Sequence, residues 1–214
     1  MITIVGGNKG GSGKTTTVTN LAVALAKRGN EVVLVDADHQ RSLSRWIGDR
    51  ESQELSPELI LIEKRDNLTQ TLKSLDNKYD HVLVDVAGRN SREMITGATV
   101  ADLLIAPHQA SQLDLDTLAE LEEQLERVHD LNPDLQVFVY HSMASTNSKV
   151  KDSERDEFLE YVSEFKEFKP LKARGFYRKV YKDAIPAGKS VLELDNSQAI
   201  DEINELVNEV YYGD

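Results

Sequence analysis

The chain has 214 residues, enough for one α/β domain with a full hydrophobic core. It has no cysteine, which excludes disulfides, a cysteine-ligated iron–sulfur cluster and a thiolate zinc site, and fits a reducing cytoplasm. The net charge of −12 excludes a protein that is basic all over while leaving room for a local basic patch.

The apolar run Ile2–Val5 predicts a first strand, so no secretory leader is expected ahead of it. Thr15–Arg28 predicts a helix, with Gly29 as its C-terminal cap. Between them lies Lys9-Gly10-Gly11-Ser12-Gly13-Lys14-Thr15-Thr16. Strand, glycine-rich loop and helix in that order make a phosphate-binding loop. Glycines let successive N–H groups turn inward on an anion, and the helix N-terminus adds partial positive charge. Lys14 can reach the β- and γ-phosphates, and the Thr15 hydroxyl can ligate Mg²⁺. The usual spacing asks for glycine where this chain has Asn8, and a second lysine, Lys9, precedes the glycines.

Val32–Val35 predicts a strand that runs into Asp36-Ala37-Asp38-His39-Gln40. Carboxylates at the carboxyl end of a strand stand where open α/β sheets place ligands. The same residues can cap a helix over Ser42–Ile47, in which Trp46 reads as packing. A polar connection, Arg50–Glu58, leads to a strand at Leu59–Ile62 and a helix at Leu68–Leu75. His81–Val84 predicts a strand that ends in Asp85, a residue placed to hold Mg²⁺. Gly88 then suits a close backbone approach, and Arg89 and Arg92 read as surface. A helix at Ser91–Thr99 precedes the strand Leu103–Ala106, which ends in Pro107. Leu115, Leu118, Leu121 and Leu125 form the core side of a helix at Leu115–His129, which stops before Asn132-Pro133. The strand Gln136–Tyr140 and helices at Asp152–Glu164 and Ser197–Val210 follow. The alternation predicts an α/β fold, a mostly parallel twisted sheet with helices on both faces. No apolar run approaches the ~20 residues of a membrane span.

Lys166 to Lys182 holds Lys166, Lys169, Lys172, Arg174, Arg178, Lys179 and Lys182 against the single acid Glu167. So concentrated a patch suits a phosphate backbone. It equally suits a solvated face paired with acidic helices. Phe176, Tyr177 and Tyr181 read as packing, because a duplex offers no splayed bases.

The string at Lys9–Thr15, the pair Asp36 and Asp38 with Gln40, and the strand ending in Asp85 resemble the ParA/MinD family of deviant Walker A P-loop ATPases. Arg178, Tyr181, Ala184, Gly188, Ser190, Val191 and Glu193 resemble a run of its small ParA members, which lack an N-terminal helix-turn-helix domain. The resemblance implies a single P-loop NTPase domain over residues 1–214, with ATP/ADP and Mg²⁺ as cofactors. It implies nucleotide contacts from Lys9, Gly10, Gly11, Ser12, Gly13, Lys14, Thr15, Thr16 and Pro107, with base contacts from Tyr140–Asn147. Catalysis would fall to Lys9, Lys14 and Asp38. Lys9 would cross a dimer interface to the other subunit's nucleotide, and Asp38 would orient or activate water. Thr15, Asp36 and Asp85 would attend the Mg²⁺, and Gln40, Arg41 and Ser42 would form a switch. His39 stands where the family has proline, so that stiffness is missing. The partners implied are a second copy in the ATP state, non-specific DNA and a ParB-type protein that stimulates hydrolysis. Lys172, Arg174, Arg178, Lys179 and Lys182 would hold the DNA, and the location would be cytoplasmic and nucleoid-associated.

Other readings share parts of this sequence. A ParA-like ATPase can position a non-DNA cargo such as a carboxysome or chemotaxis cluster. A nucleotide-dependent regulator would not need the basic patch. A P-loop synthetase or kinase would work as a monomer, and Lys9 speaks against it. The acidic run Glu202–Tyr212 does not resemble the basic membrane helix of MinD-type proteins, so no membrane partner is expected. Tyr211-Tyr212 is only a pair, where related tyrosine kinases carry a cluster.

Overall fold

The computed structural model describes the backbone of residues 1–88, 91–110 and 112–213, and their side chains apart from 112–116. Arg89 and the Leu115 side chain therefore lie outside the described residues. Strands β1 (Ile2–Val5), β2 (Val32–Ala37), β3 (Ile60–Glu63), β4 (His81–Val86), β5 (Leu103–His108), β6 (Gln136–Ala144) and β7 (Phe168–Phe176) form one sheet. Their order is β3-β2-β4-β1-β5-β6-β7, and every pairing is parallel. The helices are α1 (Lys14–Lys27), α2 (Ser42–Ser52), α3 (Thr69–Asp76), α4 (Arg92–Ala98), α5 (Gln112–His129), α6 (Lys151–Val162), α7 (Lys179–Ala184) and α8 (Ser197–Val207).

The period of two along each strand sorts the core into two layers. Ile2, Ile4, Val33, Val35, Val82 and Val84 pack against Leu72 of α3, Met94 of α4, Leu121 of α5 and Phe158 of α6. Leu34, Leu83, Leu103 and Ile105 face the other way, onto Leu21 of α1, Trp46 of α2 and Ile203 of α8. Trp46 is buried, and its indole N–H donates to the Lys189 carbonyl at 3.1 Å. Both faces being covered explains why the strands are continuously apolar.

β1 lies mid-sheet between β4 and β5, where the connections change direction. The loops after β1, β2 and β4 consequently converge on one crevice at the carboxyl edge of the sheet. Several elements go beyond the sequence reading, among them α7, which was not expected, and β6, which runs on to Ala144. α2 runs on to Ser52, taking in the start of the polar connection. β7 was not expected at all, because its basic residues mask it. Phe168, Leu171 and Ala173 are buried while Lys169 and Lys172 are exposed, the pattern of an edge strand protected by lysines. No helix among the described residues is long and apolar enough to cross a membrane.

Candidate active site

The loop after β1 turns through Gly11 at φ 75° and Gly13 at φ 93°, the second being the residue that starts α1. Both angles lie in the left-handed region that glycine reaches without a side-chain clash. Lys14 is buried, and its ammonium donates to the Lys9 carbonyl at 2.7 Å. Burial holds its pKa below the ordinary lysine value, against the opposing charges of Asp85 and Asp38. The Ser142 hydroxyl of β6 ties down the loop by donating to the Ser12 carbonyl at 2.8 Å. Gly88 presses on the loop from the β4 side. A Cβ there would stand 3.2 Å from both the Lys14 ammonium nitrogen and the Lys9 carbonyl oxygen.

Asp36 and Asp85 are register neighbours on β2 and β4. Thr15 donates its hydroxyl to Asp85 Oδ2 at 2.6 Å, while Asp85 Oδ1 is buried without a hydrogen-bond partner. Burial pushes the Asp85 carboxyl up to about 7, helped by the charges of Asp36 and Asp38 and opposed by Thr15 and Lys14. A buried carboxylate oxygen left open beside a hydroxyl fits a hard divalent cation whose remaining ligands are phosphate oxygens and water. Among the described residues no group of three acidic or histidine side chains could hold a metal alone. Asp36 is buried and fully engaged within the chain. Its Oδ2 accepts from the Ser44 amide at 2.8 Å and hydroxyl at 2.6 Å, and its Oδ1 accepts from the Asp38 amide at 3.1 Å. These bonds make Asp36 an anchor for the loop that carries Asp38. Asp38 is half-buried, and its Oδ1 accepts from the Gln40 amide at 2.8 Å.

A cleft of about 550 Å³ is lined by Gly10, Gly11, Lys14, Thr15, Asp38 and Gly88, among others. Beside it, a second cavity of about 340 Å³ shares Gly13, Thr16 and Met143 and adds Tyr140, Phe176 and Tyr181. The first has the polar character a polyphosphate needs, and the second has aromatic walls suited to a flat base. Tyr140, Ser142 and Met143, from the segment expected to contact a base, line this space. Pro107 is buried in β5 opposite Tyr140 of β6 and lines neither cavity. Lys9 is half-buried just ahead of the glycines, and His39 is exposed.

The basic segment is divided between tasks. Arg178 donates to Glu202 at 2.5 Å and to Gln198 at 2.8 Å, and also borders the aromatic cavity. Lys179 is paired with Asp183 at 2.6 Å. The Lys182 ammonium meets the Tyr177 hydroxyl and lies over that ring. Arg174 lies over the Phe176 ring at 5.2 Å. The Lys172 side chain is exposed on the outer strand, while its amide donates to Glu209 at 2.8 Å.

Some site features escaped sequence reasoning. Arg65 bonds the main chain of the Asp36–Asp38 loop, and no local pattern marks it. Buried Arg50 takes both oxygens of Glu193 at 2.9 Å, which explains the glutamate at the end of the Gly188–Glu193 run. His141 is buried in contact with Phe158, and burial, with Arg155 and Arg174 nearby, lowers its pKa to about 4.

The family described as ATPase MipZ matches residues 1–139. The maintenance of carboxysome distribution protein A of Halothiobacillus neapolitanus is 30% identical over 94% of this chain and 92% of its own length. Protein ParA of Rhizobium radiobacter is 32% identical over 59% of this chain and 60% of its own. Among solved structures, a plasmid partition protein of Borrelia burgdorferi B31 bound to AMPPNP superposes with a TM-score of 0.74. That pair is 20% identical and covers 99% of this chain and 98% of the other.

Proposed function

We propose that this chain, which belongs to the MipZ/ParA-like family of P-loop ATPases, is an ATP-gated switch that dimerises, binds DNA without sequence preference and segregates it. The observation that carries the reading is that Lys14, Thr15 and Asp38 line one cleft, with Asp85 bonded to Thr15 behind it and the Lys9 carbonyl bonded to Lys14. ATP would place its phosphates in the glycine loop and its base in the aromatic cavity. Thr15 and Asp85 would hold Mg²⁺, which supplies charge neutralisation to the β- and γ-phosphates. Lys14 would leave the Lys9 carbonyl for the phosphates. Asp38 would orient the attacking water, and Asp36 would keep the Asp38 loop in place through Ser44. Lys9 would reach the partner subunit's phosphates and stabilise charge where water is excluded. The basic residues Lys172, Arg174, Arg178, Lys179 and Lys182 would meet the DNA backbone once two copies pair. A ParB-type partner would then trigger hydrolysis and release, with the cycle taking place on the nucleoid in the cytoplasm.

A specific observation favours a second cargo. A carboxysome distribution protein aligns over 94% of the chain, whereas two ParA relatives align over 59% and 76%. Both cargoes use the same nucleotide and DNA cycle and differ in the partner. The shared cycle is tested by binding to a random-sequence duplex with ATP, with ADP and without nucleotide, across a salt series. Tight binding only with ATP, falling steeply with salt, is expected. Absent binding in all three states would favour a regulator that does not use DNA, and equal binding in all three would remove the nucleotide gate.

A further inference from the structure

The loop between β3 and α3 belongs to no motif, yet it bonds both the Asp36–Asp38 loop and α4. From it, the Arg65 guanidinium donates through Nη2 to the Asp38 carbonyl at 2.7 Å and through Nη1 to the Asp36 carbonyl. Nη2 also stands 3.7 Å from Asp36 Oδ1. The side chain is only 22% exposed, so water competes weakly for these carbonyls. The next residue is tied the other way. The Asp66 amide donates to Glu93 of α4 at 2.9 Å, and the Asp66 carbonyl accepts the Thr96 hydroxyl at 3.1 Å. Thr96 also accepts the Leu68 amide at 3.2 Å, and Thr69 donates to the Thr96 carbonyl at 3.0 Å. α4 is the helix that follows the Asp85–Gly88 segment. The loop is therefore a strut, with one end on the carbonyls of the Asp36–Asp38 loop and the other on α4.

We infer that Arg65 is a positioning residue for ATP hydrolysis, holding Asp38 by its main chain so that the carboxylate stays on the attacking water. This rests on the reading in which Asp38 orients that water. Holding the carbonyl rather than the carboxylate suits the task, because the charge that must act on water is not spent on an ion pair. A guanidinium is the group that can reach two carbonyls at once with fixed geometry, where a lysine would satisfy one. Positional errors near 1 Å at such a group cost about 100-fold in rate.

The test uses the full chain with Mg²⁺-ATP and compares wild type, Arg65→Ala, Arg65→Lys and Asp38→Ala. The expected pattern is a fall in kcat of about 30-fold for Arg65→Ala, with KM for ATP and AMPPNP affinity within about threefold of wild type. Arg65→Lys should recover part of the rate. Millimolar guanidinium should rescue Arg65→Ala but not Asp38→Ala, a response a purely structural role would not give. If Asp38→Ala is inactive but both Arg65 variants turn over at the wild-type rate, the positioning role is wrong and the reading of Asp38 stands. Loss of AMPPNP affinity in step with kcat, with no rescue, would also overturn it in favour of a folding role. If Asp38→Ala hydrolyses ATP normally, the reading of Asp38 itself fails.

Discussion

Asp85 carries a conflict that the nucleotide would resolve. Its carboxyl is fully buried, one oxygen bonded to Thr15 and the other open. Its folded-state pKa of about 7 lies above the ordinary 3.8. The folded chain therefore holds this proton more tightly than the unfolded chain. Stability from this group is present at low pH and is lost as pH rises from about 4 to 7. Asp85→Asn keeps a neutral group in place and removes the loss. Without nucleotide, the variant should be more stable than wild type at pH 8, by up to about 4 kcal/mol. The gap should close towards pH 4. Urea denaturation at both pH values measures it, and a pH-independent gap would contradict the assignment. The same variant should lose the Mg²⁺ dependence of ATP binding, because the open oxygen becomes an amide. Function here is held at a cost to the empty state.

β7 shows how composition misleads about an element. The basic residues around it read equally as a DNA-binding face or a solvated one, and the strand among them went unseen; they are divided between this edge strand, the turn after it and the short helix α7. Lys172 projects outward while its amide is held by Glu209, so its charge can change without moving the backbone. Arg178 instead serves Glu202, which also accepts the Tyr181 hydroxyl at 2.8 Å and the Phe176 amide at 3.1 Å. Lys172→Glu is expected to weaken duplex binding several-fold and flatten its salt dependence by about one charge, leaving the melting temperature unchanged. Arg178→Ala should cost roughly 2 kcal/mol of stability, since it strands a largely buried carboxylate. Equal melting temperatures for the two variants would mean that Arg178 is not structural. The phosphate loop, the Asp36–Asp38 pair and Asp85 were legible because each is a short string whose chemistry and backbone requirement coincide. β7 was not, because its apolar residues alternate only from Leu171 to Gly175 and charges fill the gaps. The Arg50–Glu193 bond spans 143 positions, and Arg65 meets Asp38 across 27. Such partners are set by strand order, which no local pattern carries. The glutamate closing the Gly188–Glu193 run was visible, but its role as the counterion of Arg50 was not.

The cleft as a whole lies along the carboxyl edge of the sheet, at the point where β1 divides the strand order. One chain brings Lys14, Thr15 and Asp38 together there, with Asp85 bonded to Thr15, so the groups expected to bind phosphate and orient water need no second copy. Lys9 is the exception. Its carbonyl receives Lys14 within the chain, and the residue is half-buried just ahead of the glycines. A second subunit facing the cleft would make each Lys9 a desolvated contact on the other subunit's phosphate, where electrostatic attraction is worth far more than in water. The expected consequence is that Asp38→Ala, loaded with Mg²⁺-ATP, elutes as a dimer and reverts to a monomer with ADP. Light scattering during gel filtration reads this directly. Adding Lys9→Ala to that variant should shift the ATP-state dimer towards monomer, because each interface loses two charge contacts at once. A dimer of equal strength without Lys9 would leave this lysine with no role between subunits, and an ATP-loaded monomer would remove the paired-subunit mechanism.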